Sequence, residues 1–241
     1  MIIGLTGRNA SGKGEVAEYL KSKGFVYLSL SDELREEATN LGIEHTRDNL
    51  IKLGNELREK YGPNYLAAKI NDKIKQQLKK YNKKNSISNN INNKNIELKT
   101  NEKINKTIIN KNNNQINENI INNKNNDKIK NNNGANFVVD SIRSPFEAKE
   151  LMKNIDFILV GIDAPVELRF KRLLKRKRAG DAKTLEEFKQ QEERENLNNA
   201  TNQQLDKTFK LSKKVILNDG SLKQLHKKID DVLLQLKNKI Q

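Results

Sequence analysis

Gly7-Arg8-Asn9-Ala10-Ser11-Gly12-Lys13-Gly14 stands between a short apolar run, Ile2 to Thr6, and a stretch from Glu15 to Lys23 that places Val16 and Leu20 on one helical face. The octet has the form G-x-x-x-x-G-K. Glycines let successive backbone N–H groups turn inward around phosphate oxygens, a helix N-terminus adds positive potential, and Lys13 can reach the terminal phosphates. A strand before and a helix after are the context such a loop requires. A strand-to-helix turn using glycine for geometry alone would not need the lysine. The reading therefore predicts a triphosphate-binding loop built from Gly7, Asn9, Ala10, Ser11, Gly12, Lys13, Gly14 and Glu15, with ATP as the expected donor.

One position departs from the usual pattern. Gly14 follows Lys13 where Ser or Thr commonly stands, so the hydroxyl that would ligate Mg²⁺ is absent. Glu15 comes next. Its carboxylate either orients a metal-bound water or points to solvent from the first helical turn, where the helix dipole favours it; the second is preferred.

Outward from the loop, strands and helices alternate. Phe25 to Leu30 reads as a second strand after Gly24 ends the first helix. Ser31 is the expected cap of the next helix and Thr46 of the one after, which carries Leu50, Leu53 and Leu57. A further helix covers Tyr65 to Leu78. Phe137 to Asp140, Phe157 to Asp163 and Val215 to Leu217 complete a set of five strands. Pro145 to Lys153 is a helix, Pro165 opens another, Thr184 caps a charged one, and Leu222 to Leu236 forms the last. Strands apolar throughout, separated by helices, indicate a mostly parallel sheet covered on both faces, a three-layer α/β/α P-loop NTPase fold.

Asn82 to Asn133 is different in kind. It is dominated by Asn, Lys and Ile, and such tracts cannot bury enough apolar surface to offset the entropy of ordering. It is expected to be a disordered insertion in one domain spanning 1–241.

Phe137-Val138-Val139-Asp140 ends an apolar strand in a carboxylate, the form of a Walker B strand whose Asp140 reaches the water shell of Mg²⁺. Three residues on stands Arg143. Leu28-Ser29-Leu30-Ser31-Asp32-Glu33-Leu34-Arg35 ends the second strand with an acid and an arginine three apart. Arg169, Arg172 and Arg176 recur at helical spacing ahead of Ala179-Gly180-Asp181 and the helix bearing Arg194.

These segments resemble the nucleoside-monophosphate kinases and dephospho-CoA kinases, and more closely the kinase-like proteins of archaea and the P-loop domain fused ahead of some deoxycytidylate deaminases. The resemblance rests on Gly-Leu-Thr-Gly-Arg-Asn at 4–9, Ser-Leu-Ser-Asp at 29–32, Gly-Asn-Glu-Leu-Arg at 54–58, Val-Asp-Ser-Ile-Arg at 139–143 and Asn-Asp-Gly-Ser-Leu at 218–222. It covers nearly everything but the insertion. It implies that the glycine after Lys13 goes with magnesium held largely by phosphate oxygens and water. Arg35 and Arg143 would clamp the acceptor phosphate, and Asp32 would hold a metal-bound water or the acceptor. Residues 169–198 would form a lid whose Arg172, Arg176 and Arg194 close over the donor phosphates. Asn218 and Gly220 would fall near the adenine. Lys13, Arg143, Arg172 and Arg176 are the expected catalytic residues.

Composition sets the outer limits. The chain has 241 residues, net charge +15, only 5% aromatics, no cysteine and two histidines. A basic excess suits polyanionic nucleotides as well as nucleic acid, but few aromatics leave little for base stacking. Nucleic acid is thus an unlikely main partner. A fused deaminase would need cysteines for zinc. Neither a signal peptide nor a membrane span is visible, so a cytosolic setting is expected. His45 and His226 are read as structural. The function expected is ATP- and Mg²⁺-dependent phosphoryl transfer to a nucleoside monophosphate. Dephospho-CoA is the alternative acceptor, and a non-catalytic nucleotide-binding or nucleic-acid-associated protein is the competing class. Oligomeric state cannot be read from the sequence.

Overall fold

All five residues of β1 (Ile2–Thr6) are buried, because this strand has sheet neighbours on both edges and helices on both faces. It pairs in parallel with β3 (Phe137–Asp140) on one side and β4 (Phe157–Asp163) on the other. Beyond them lie β2 (Val26–Ser29) and β5 (Lys214–Leu217), also parallel. The order is β2-β3-β1-β4-β5, so the sheet is wholly parallel rather than mostly so. The chain leaves β1 toward β2 but leaves β3 across to β4. The carboxyl ends of β1 and β3 therefore form a switch point, where α/β sheets of this kind open a crevice for ligands.

The structure, a computed structural model, describes residues 1–83, 134–176, 180–195 and 204–238. The chain divides into two units, Met1–Lys75 with Ala135–Gln241, and Gln76–Gly134. All that follows concerns the first; in the second, residues 76–83 are helical. The expected insertion over 82–133 lies almost wholly outside the described residues. So do 177–179 and 196–198, which the expected lid includes, and 199–203 after it.

On one face of the sheet, Ile3, Leu5, Val138, Val160, Ile162 and Ile216 pack against Val16 and Leu20 of α1 (Lys13–Ser22) and Leu225 and Ile229 of α9 (Leu222–Lys237). On the other face Gly161 lies under Phe209 of α8 (Leu205–Lys210), and a Cβ there would stand 2.7 Å from the ring. α8 was not foreseen, since Gln204 at its N-cap offers no side-chain hydrogen bond and hence no capping signal.

α2 (Leu30–Asn40) corrects one expected cap. Ser29, not Ser31, has the extended backbone of an N-cap, and its hydroxyl accepts the Asp32 N–H. Strand β2 consequently ends one residue earlier and Leu30 is helical. Thr46 caps α3 (Arg47–Tyr61) as expected, accepting from Asn49 N–H. Helix α4, over 65–75 in this unit, lies against α2 through Lys69 and Lys73, which pair with Glu37, Glu33 and Glu36. α5 (Pro145–Leu151) begins in a capping box made by Ser144 and Glu147. α6 (Val166–Arg176) and α7 (Leu185–Glu195) follow β4. No helix among the described residues is long and apolar enough to cross a membrane.

Candidate active site

The loop from 7 to 14 leaves β1 at the switch point. Gly7 and Gly12 have φ of 145° and 102°, the region that disfavours side chains. Space forbids them as well: a Cβ on Gly7 would lie 2.1 Å from the Ile162 carbonyl oxygen, and one on Gly12 would lie 2.1 Å from Asn218 Nδ2. The loop is thus pressed against β4 and the end of β5. Gly12 is the N-cap of α1, and the Lys13 ammonium curls back to donate to the Gly7 and Arg8 carbonyls at 2.8 and 3.0 Å. Gly14 differs from these glycines. A Cβ there would meet nothing within 4 Å, so room is not what keeps a hydroxyl residue from this position. Glu15 is exposed and lines the cleft wall.

The loop opens into a cleft of about 1390 Å³ that runs across the carboxyl ends of β1, β3 and β2. Asp140 ends β3 with its side chain lining this cleft, opposite Ser29 in the neighbouring register. Its Oδ1 accepts the Ser141 N–H at 2.6 Å, and Ser141 itself has a φ of 65° that turns the chain sharply. Among the described residues no three His, Cys, Asp or Glu side chains converge as a metal cage. One carboxylate facing a phosphate loop is a donor set suited to Mg²⁺, which keeps several waters and takes phosphate oxygens besides one or two carboxylates.

The arginines of α6 prove to have distinct surroundings. Arg169 is buried; it donates to the Ala164 carbonyl at 3.0 Å and the Asn9 carbonyl at 3.3 Å and pairs with Glu192 of α7. It therefore fastens α6 and α7 to the phosphate loop. Arg172 donates to the carbonyl and the side-chain oxygen of Asn218 at 3.0 and 3.2 Å. Burial pushes its guanidinium below the ordinary value, and the nearby Glu15 partly offsets this. Asn218 in turn donates to the Ser11 carbonyl at 2.9 Å. Its side chain thus braces the loop rather than standing ready for an adenine, while Gly220 lines the cleft. Arg176 reaches Asn9 Oδ1 at 3.2 Å and grips Asp181 with two nitrogens at 2.6 and 2.7 Å. Arg194, exposed in the last turn of α7, also lines the cleft.

At the opposite end, Arg35 and Asp32 both line the cleft and pair with each other at 2.8 Å, each about half exposed. Arg143 lines it from the turn after Asp140. Two further arginines that sequence reasoning did not assign line the cleft. Arg47 opens α3 and lies 3.8 Å from Asp181. Arg58, buried in the same helix, donates to Glu147 Oε1 at 3.2 Å. Only the Gly-Asn-Glu-Leu-Arg token at 54–58 marked it. His45 sits in the loop before α3 beside Thr39 Oγ1 at 3.0 Å, at the cleft rim, whereas His226 stacks on Tyr19 with ring centroids 3.9 Å apart.

No family model matches the chain. It is 28% identical over 239 residues to a UPF0200 protein of Pyrococcus abyssi, covering 98% of this chain and 97% of that one. It is 26% identical over 242 residues to an Archaeoglobus fulgidus UPF0200/UPF0201 protein, covering 100% of this chain but spanning only 57% of that protein's length. Among solved structures, shikimate kinase from Acinetobacter baumannii in complex with shikimate overlaps 100% of this chain and 95% of that one, with a TM-score of 0.47 and 14% identity. The P-loop character of the fold is read from this chain's own loop and strand order.

Proposed function

We propose that the chain is a nucleotide kinase that moves the terminal phosphoryl group of ATP, with Mg²⁺, to a nucleoside monophosphate. The observation that carries this is a single continuous cleft with the glycine loop and Lys13 at one end and Arg35 and Arg143 at the other, with Asp140 between them. Two anions meeting head to tail need this distribution of charge. Ser11 Oγ, buried within the loop and without a hydrogen-bond partner in the structure, is a polar atom that a bound oxyanion could satisfy. The Asp32/Arg35 and Asp140/Arg143 pairs favour a monophosphate; dephospho-CoA is the alternative acceptor, because the related coenzyme kinases use similar parts.

In this reading the loop amides and Lys13 hold the β- and γ-phosphates, and Arg172 and Arg176 lie along the donor side. Arg143 and Arg35 bring the acceptor phosphate in line. Asp140 would hold the magnesium through water; the ion supplies charge neutralisation across the transferring group. Transfer of this kind is mostly positioning and electrostatics, and no general base is needed when the acceptor is itself a phosphate.

The test is a coupled assay with ATP and Mg²⁺ over the common nucleoside monophosphates and dephospho-CoA. Turnover with one monophosphate well above the rest is expected. Absence of any acceptor-dependent ADP release, together with no magnesium-dependent ATP binding, overturns the reading.

A further inference from the structure

Glu147 is 1% exposed, yet its carboxylate gathers donors from two elements far apart in the chain. Oε2 accepts the backbone N–H of Arg143 at 2.9 Å and that of Ser144 at 3.1 Å. Oε1 accepts from the Arg58 guanidinium, 8% exposed and 89 residues away in sequence. The first two bonds belong to the start of α5, and a glutamine could make them equally well. The third needs the second carboxylate oxygen, where a glutamine would present an NH2 to the guanidinium.

A buried ion pair is weak evidence for stability, because desolvating both groups offsets most of their attraction. Closing the capping box therefore does not account for Arg58. What the pair does geometrically is plainer. The Arg143 carbonyl accepts the Gln204 N–H at 3.0 Å from the opposite side. The backbone carrying the proposed acceptor arginine is thus held at both its N–H and its C=O, and the carboxylate on the N–H side is anchored on α3. That helix also brings Arg47, Leu50 and Asn55 to the wall of the cleft.

We infer that Arg58 and Glu147 are a positioning pair. They lock α3 to the turn between β3 and α5, and so fix the direction from which Arg143 meets the acceptor phosphate. The functional half of this inference rests on the kinase reading; the structural half does not.

Three variants separate the possibilities: Glu147→Gln, which keeps the capping bonds and removes the charge, Arg58→Met, and the conservative Arg58→Lys. With ATP and the best monophosphate of the panel, Glu147→Gln and Arg58→Met should raise the acceptor KM about tenfold, as a small misplacement of a binding group does. The ATP KM should stay within about twofold, and Arg58→Lys should recover part of the loss. In amide exchange of the folded protein, Arg58→Met should expose the Arg143 and Ser144 amides about tenfold faster while β1 keeps its protection. Equal changes in both KM values, or unchanged exchange at 143 and 144, overturn the proposal. If the wild type transfers to no acceptor, the kinase reading fails, and amide exchange still decides the pair. Should Arg58→Met unfold, Glu147→Gln carries both measurements.

Discussion

The two ends of the cleft are built from different materials. The donor end is backbone: a loop whose shape is set by positive φ at Gly7 and Gly12, and by β4 and Asn218 pressing on it from behind. The acceptor end is side chains, and its guanidiniums already have carboxylate company, Arg35 with Asp32 and Arg58 with Glu147. A backbone cradle is preformed to receive phosphate; the Lys13 ammonium, turned back onto the Gly7 and Arg8 carbonyls, has only to swing toward it. Paired arginines must share or exchange their carboxylates when an anion arrives. Donor binding should therefore resemble insertion into a rigid site, and acceptor binding should depend more on supporting residues.

The comparison is broken most severely at the donor end. Lys13→Ala should lower turnover by about 10³-fold, the scale on which a preorganised charge stabiliser acts, while circular dichroism shows the helix content unchanged. Gly12→Ala should be worse for the fold than for chemistry alone, because the new methyl meets Asn218 in a backbone conformation that resists it. A loss of about 1–3 kcal/mol in a denaturant titration is expected. Near-normal stability would mean that the loop is softer than its contacts imply.

Arg143→Ala tests the other end. It should raise the acceptor KM by about 10²-fold, a bidentate charged contact to phosphate, and leave ATP affinity within a factor of about three. If initial-rate kinetics show both affinities falling together, the division of the cleft into donor and acceptor ends is wrong. Asp32→Asn removes a half-exposed partner and should change stability by less than about 1 kcal/mol. A large shift in a melting curve would show that the Asp32–Arg35 pair is structural.

The same contrast explains what could be read in advance. The donor end is local: strand, loop and helix are consecutive, so Gly7, Gly12 and Lys13 announce their roles by spacing alone. Five apolar runs separated by helices were likewise enough for the parallel sheet, although only pairing in three dimensions shows that all five strands of the sheet run parallel. The acceptor end is non-local. Arg58 and Glu147 lie on either side of the 82–133 segment, and nothing in either neighbourhood names the other. Asn218 looked like a base-binding residue because it follows the last strand; its commitment to the Ser11 carbonyl depends on how closely β5 ends behind the loop. Ser29 and Ser31 were both plausible caps, and the choice turned on which residue keeps the extended backbone. By contrast Arg176 and Asp181, five residues apart, could have been paired from sequence.

Acidification should separate the two ends without any mutation. The acceptor end rests on α2, whose Glu36 and Glu37 are held against α4 by Lys73 and Lys69. The hydrogen bond from Lys69 keeps the Glu37 carboxyl below its ordinary value of 4.5, and Lys73 does the same for Glu36. A carboxylate depressed in the folded state contributes fully above its unfolded value and loses that contribution as pH falls through the folded value. The backbone bonds of the phosphate loop have no such dependence. As pH falls below about 4.5, after correction for intrinsic exchange, the amides of α2 should lose protection before those of β1 and α1. The effect is small for pairs this exposed to solvent, and Glu37→Gln should weaken α2 at neutral pH while flattening its pH dependence. Simultaneous loss across both ends would show that the ion pairs follow the fold rather than support one side of it.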